Sequence, residues 1–107
     1  MKIEMDLVNL QGSAKAATDL LKVMSNEWRL LILCHLAEEE KSVGDLEKEL
    51  GLSQSALSQH LAVLRREKLV STRRNAQSIY YSLVSDDVKA IMETLYSRFC
   101  AIPESDS

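Results

Sequence analysis

Two thiols and two imidazoles are the side chains of this 107-residue sequence best equipped for chemistry. Cys34 and His35 are adjacent within "RLLILCHLAEEE" (Arg29–Glu40), in the middle of an apolar run; His60 stands in "LSQHLAVL", and Cys100 ends "YSRFC". Neighbours on a helix point about 100° apart, so Cys34 and His35 do not converge on one ion. Zinc takes about four N or S ligands, and the chain offers two Cys and two His. The sequence also lacks a C-x-x-C pair, a glycine-rich phosphate loop and a Cys/His/acid arrangement with a cleft for substrate. We therefore expect no enzyme, no metal and no cofactor. Free cysteine is among the most buried residue types, and the residues alone favour core packing for Cys34. Cys100 is harder to absorb into a core, because it ends a helix beside the polar tail "AIPESDS". The triple Glu38–Glu40 reads as a solvated loop.

The elements that must hold these groups belong to one domain spanning residues 1–107, with flexible ends expected at about 1–6 and 101–107. Composition is that of an ordinary globular chain, 46% hydrophobic and 27% charged, short enough to gain from dimerisation. No window approaches the roughly eighteen apolar residues of a membrane span, and "MKIEMDLVNLQGS" does not read as a secretory signal. The expectation is a cytoplasmic protein without membrane contact, where two cysteines stay reduced and a disulfide would be transient.

The formal charge of −3 argues at first against a polyanionic partner, but its distribution reverses that impression. Between Ser53 and Tyr81, five cations (Arg65, Arg66, Lys68, Arg73 and Arg74) meet only Glu67, a local +4 against −7 elsewhere. Charge concentrated in this way suggests a nucleic-acid footprint.

Helical signals come first along the chain. The segment from about Leu7 to Met24 reads as a first helix, and Ser25 or Asn26 caps a second from Glu27 to about Ala37. "SVGD" (Ser42–Asp45) matches a capping box opening a third helix that ends near Gly51, and Ser53 caps a fourth from Gln54 to about Glu67. The period then changes. Leu69–Val84 reads as a β-hairpin with its tip at Asn75-Ala76-Gln77. Ser85, Asp86 and Asp87 begin a last helix carrying Val88, Ile91, Met92, Leu95 and Phe99 and ending at Cys100. The fold class is mainly α with a small hairpin: four helices, two strands and a fifth helix, a winged helix-turn-helix.

On a helical wheel of the fourth helix, Leu57, Leu61 and Leu64 cluster on one side, flanked by Ala56 and Val63. Gln54, Ser55, Ser58, Gln59 and Arg65 take the other. A merely solvated face usually favours Glu and Lys, whereas amides and hydroxyls suit base edges and phosphates in a major groove. His60 falls at the edge of the apolar stripe, either packed or a further contact. Arg73, Arg74 and Gln77 would let the hairpin straddle phosphates or enter a minor groove; the plainer reading is an edge strand protected by charge.

The stretch "LSQSALSQHLAVLRREKLVSTRRNAQSIYYSL", with its S-x-H-L-x-x-L phrase followed by L-V and YY-x-L, resembles the DNA-binding core of the ArsR/SmtB family of winged-helix repressors. "NEWRLLIL" resembles that family's second helix, and the likeness runs from about Ala17 to Cys100. It implies a homodimer built from the first and last helices, each fourth helix entering one half-site of double-stranded operator DNA. The family's usual basic, glycine-containing wing tip is replaced here by "NAQ". Many members sense metals, but the positions matching the C-x-C thiolate site are Ser42 and Gly44, and the last helix has no histidine. In the sulfide- and persulfide-responsive branch, one cysteine stands in "ILC" and another in an aromatic-Cys ending, and Cys34 and Cys100 fall at those two places. That resemblance implies a repressor that leaves DNA when persulfide or polysulfide links the two thiols through a di-, tri- or tetrasulfide, with Cys34 attacking and Cys100 resolving. The rival readings are a general thiol-redox regulator, a haemolysin-type activator that displaces a silencing protein, and a constitutive DNA-binding module with inert cysteines.

Overall fold

A computed structural model describes Glu4 and residues 6–100. Five helices, α1 (Leu7–Met24), α2 (Glu27–Glu38), α3 (Val43–Leu50), α4 (Gln54–Arg66) and α5 (Asp86–Leu95), combine with strands β1 (Lys41–Ser42), β2 (Val70–Asn75) and β3 (Ser78–Leu83). The hairpin is thus the larger part of a three-stranded antiparallel sheet of order β1-β3-β2. The sequence reading missed β1, which is two residues long and polar; it pairs Lys41 with Tyr81 and Ser42 with Tyr80. Apart from Glu4 and Asp6, the segments expected to be flexible, about 1–6 and 101–107, lie outside the described residues. Asp6 is the N-cap of α1, its carboxylate accepting from the amides of Val8 and Asn9 at 3.2 Å.

Short polar side chains start the other helices by accepting from otherwise orphaned amides. Asn26, not Ser25, caps α2 by accepting from the Arg29 amide at 3.0 Å. Ser42 and Asp45 form the reciprocal capping box of α3, at 3.1 and 3.2 Å. Ser53 and Ser85 cap α4 and α5. Gly51 closes α3 at φ +69°, a left-handed conformation that costs glycine nothing.

The core lies where α2, α4 and α5 meet the sheet. Ile32, Leu33, Leu46, Leu57, Leu64 and Val88 have no solvent exposure. The expected inward face of α4 is the observed one: Leu57, Leu61 and Leu64 are buried, with Ala56 and Val63 half-buried beside them. At the chain's far end the expectation needs correcting. Regular α-helix stops at Leu95, and Tyr96–Cys100 form a wider i→i+5 turn. Two hydroxyls bond back into the helix there: Thr94 donates to the Ala90 carbonyl (3.1 Å) and Ser97 to the Thr94 carbonyl (3.0 Å). Such back-bonding bends a helix. Phe99, expected on the last helix, lies on this wider turn and is 81% exposed.

Candidate functional site

Burying its leucine face leaves α4 presenting Gln54, Ser55, Ser58, Gln59 and Arg65 to solvent, all exposed. His60 is half-buried at the lip of the stripe; burial and the Arg29 guanidinium hold its pKa below the ordinary histidine value, favouring the neutral ring. Between α3, α4 and the hairpin lies an open cleft of about 860 Å³, lined among others by Gln54, Ser58, Arg65, Arg66 and Gln77. The fold therefore brings four of the expected contacts, Gln54, Ser58, Arg65 and Gln77, to one concavity between helix and wing. Ser55 and Gln59 lie outside that lining, on the exposed side of the same helix.

The wing tip is tight: Asn75 pairs with Ser78, leaving Ala76 and Gln77 as a two-residue loop. Ala76 has φ +57°, a left-handed conformation that hairpin turns demand and that glycine or asparagine meets at less strain. Arg74 is exposed, and among the described residues neither it nor Arg65 has an ion-pair partner. Arg73, the other arginine expected at the wing, has partners within the chain. Its guanidinium donates to Glu40 from Nε (3.0 Å to Oε1, 2.9 Å to Oε2) and from Nη2 (2.7 Å to Oε1). The same guanidinium lies 4.6 Å from the ring centre of Tyr80, its cross-strand partner. Ser82 adds a third donor to Glu40 at 2.9 Å. These bonds hold the Glu40 carboxyl below the usual range, so Glu40 does not belong to a purely solvated acidic loop.

A second polar knot was also invisible in the sequence. Lys41, only 7% exposed, places its ammonium 3.0 Å from Glu49, with Glu38 and Glu39 at 3.9 and 3.8 Å. His35 Nδ1 lies 3.1 Å from the same Glu49 oxygen. This explains the adjacent thiol and imidazole: His35 turns to α3 while Cys34 serves a different face. An alternation such as "KS" opposite "YY" was the only signal for β1, and it was too short to read.

Cys34 is half-buried against the core and lines an open cleft of about 640 Å³ between α2 and α5, together with Ala37, Glu38, Lys89, Met92 and Tyr96. Burial pushes its pKa up, and the negative charge of the Cys100 thiolate pushes it further in the same direction. Cys100, four residues beyond Tyr96 on the terminal turn, is exposed, and both thiols are free. Tyr96, which lines the Cys34 cleft, connects it along the chain to Cys100, although the two cysteines are far apart in sequence. Among the described residues no group of three or more His, Cys, Asp or Glu side chains is arranged to hold a metal. No described helix is long and apolar enough to cross a membrane.

Comparison with known proteins agrees with this geometry. Residues 26–72 match the bacterial regulatory protein, arsR family. The chain is 52% identical over 96 residues to the transcriptional activator HlyU of Vibrio cholerae, covering 90% of this chain and 89% of that protein. It is 41% identical over 93 residues to the biofilm growth-associated repressor of Xylella fastidiosa, covering 87% and 82%. The solved structure of reduced HlyU from Vibrio cholerae superposes with a TM-score of 0.84, covering 87% of this chain and 98% of that one. The Xylella fastidiosa repressor BigR gives 0.85 at 40% identity, covering 92% and 100%. These relatives are transcriptional regulators and not enzymes, and the chain belongs with them to the ArsR family of winged-helix, DNA-binding regulators.

Proposed function

We propose that the protein is a homodimeric, cytoplasmic transcriptional repressor that releases operator DNA when reactive sulfur species link Cys34 to Cys100. What supports this reading is the placement of Cys34, half-buried on the α2–α5 cleft, with free, exposed Cys100 four residues beyond Tyr96, which lines the same cleft. On DNA, Gln54, Ser55, Ser58 and Gln59 read base edges, with His60 at the margin. Arg65, Arg74 and Gln77 meet phosphates at either side of the cleft. Dimerisation supplies the second half-site and covers α1, on which Leu7, Val8 and Leu21 are more than half exposed.

The sulfur chemistry needs no separate oxidant. A low-molecular-weight persulfide, RSSH, transfers its terminal sulfur to a cysteine thiolate and leaves as RSH. In this reading exposed Cys100 takes the first sulfur, because burial disfavours the Cys34 thiolate, and Cys34 attacks in the closing step. Attack of the Cys34 thiolate on Cys100 Sγ then expels HS⁻ and leaves a disulfide. If Cys34 has itself been persulfidated, the same displacement gives a trisulfide, and one further transferred sulfur gives a tetrasulfide. Each inserted sulfur lengthens the bridge by about 2 Å, so a thiol pair held beyond easy disulfide closure favours persulfide over peroxide. The bridge ties α2 to the end of α5, and the operator is lost because the two recognition helices no longer match the half-site spacing.

The test uses a duplex selected from a random pool by the reduced protein. Cys34→Ser and Cys100→Ser variants are expected to bind it like the parent and to stay bound after glutathione persulfide. Release of either variant at the parental persulfide concentration would contradict the paired-thiol reading. One alternative has its own support: the likeness to a protein named as an activator favours a regulator that raises transcription by displacing another DNA-bound protein. Reporter output in a strain lacking the protein separates the two, rising for a repressor and falling for an activator.

A further inference from the structure

The sequence places two adjacent arginines, Arg73 and Arg74, on the basic wing, and electrostatics alone would give both the same task. The structure divides them. Adjacent residues on a strand point to opposite faces, so only one of the pair can face the α2–β1 connection. Arg73 takes that side. It is the cross-strand partner of Tyr80, stacks on its ring, and delivers two guanidinium nitrogens to Glu40, which also accepts from Ser82. Arginine–carboxylate forks of this kind are short, directional and charge-assisted. Glu40 lies between the end of α2 and β1, the strand that joins the hairpin to the rest of the fold.

We infer that Arg73 is a positioning residue of the wing, and that Glu40, an acidic side chain in a DNA-binding protein, increases affinity for DNA by anchoring it. The Glu40–Arg73–Tyr80 clamp fixes the angle at which the hairpin leaves the domain and so places Arg74 and Gln77 against the backbone. Arg73 itself contributes no phosphate contact. The inference rests on the DNA-binding half of the proposed function and is independent of the thiol chemistry, so all measurements use reduced protein.

The clamp makes a prediction opposite in sign to simple electrostatics. Removing a negative charge beside bound DNA ordinarily tightens binding, and removing a phosphate contact flattens the salt dependence by ~0.9 in the log–log slope. Binding of the selected duplex is measured across a salt series for Glu40→Ala, Glu40→Gln, Arg73→Ala, Arg73→Lys, Arg74→Ala and the Glu40→Ala/Arg73→Ala double variant. Melting temperatures confirm that each is folded. Glu40→Ala and Arg73→Ala are expected to weaken binding by roughly five- to twenty-fold, the scale of coupling in a charged network, with the same slope as each other because both act through the wing they position. The double variant should be no weaker than either single one. Arg73→Lys should not restore affinity, because lysine keeps the charge and loses the fork. Arg74→Ala should flatten the slope by about one phosphate. Should Glu40→Ala unfold, Glu40→Gln, which keeps the shape and loses the charge, reports the same sign. Tighter binding by Glu40→Ala or Glu40→Gln, a slope for Arg73→Ala flatter than that of Glu40→Ala, or full retention by Arg73→Lys would overturn the inference and make Arg73 a phosphate ligand.

Discussion

Cys34 carries the sharpest chemical expectation at the scale of single residues. Burial and, second, the neighbouring Cys100 charge both raise its pKa, so its thiolate accumulates only above the ordinary thiol range. Iodoacetamide labelling at neutral pH should therefore modify exposed Cys100 first, with the Cys34 rate still rising at alkaline pH. In Cys100→Ser the like charge is gone while burial remains, so the Cys34 midpoint should move down without reaching that of a free thiol. A Cys34 midpoint unchanged by Cys100→Ser would mean that the two thiols do not interact. Among the residues proposed to face DNA, Gln59→Ala should change which base is preferred at one position, by ~1–3 kcal/mol if a bidentate contact is lost. Competition between selected and single-base-changed duplexes measures it. Residue types were legible in the sequence: the thiols, the amide-rich face and the basic wing all announce themselves locally. Partners were not. Glu40 meets Arg73, and Glu49 meets Lys41 and His35, through tertiary packing that no spacing rule encodes.

Elements were more legible than contacts, because their signals are local. Asn26, Ser42 with Asp45, Ser53 and Ser85 mark helix starts, Gly51 marks a stop, and the leucine spacing of α4 fixes its inward face. What failed was either too short or set by geometry beyond the element. Strand β1 spans two residues and exists because β3 offers an edge beside it. The end of α5 unwinds into a wider turn at Thr94 and Ser97, whose hydroxyls are ordinary helix-surface residues by type. The recognition helix owes its rigidity to its buried side. Leu61, 1% exposed, should cost ~2–5 kcal/mol of stability on change to alanine, read by urea unfolding at fixed protein concentration. Folded Leu61→Ala protein should keep the base preference of the parent, since the exposed amides are untouched. A loss below about 1 kcal/mol would show that α4 is not docked through this face.

At the scale of the whole molecule, two surfaces remain without a partner among the described residues. One is the cleft and basic wing, matched to a polyanion. The other is apolar: α1 buries only Val23 and Met24, while Leu7, Val8 and Leu21 on the same helix and Tyr96 and Phe99 beyond α5 are more than half exposed. Such a face on a chain of this size is the expected signature of a dimer. In the proposed function dimerisation and thiol bridging meet at the same place, because Cys100 ends the segment that carries Tyr96 and Phe99. A bridge from Cys34 to Cys100 would act on the element that sets the distance between two recognition helices. One measurement tests this directly: affinity of the reduced protein for its selected duplex before and after glutathione persulfide, with peroxide and zinc in parallel and the intact mass recorded on each sample. The account predicts that persulfide adds sulfur between Cys34 and Cys100 and lowers affinity at least about tenfold, the scale of a typical coupling energy, while stoichiometric zinc leaves affinity within a few-fold. Sulfur-bridged protein that binds DNA as tightly as reduced protein would contradict it.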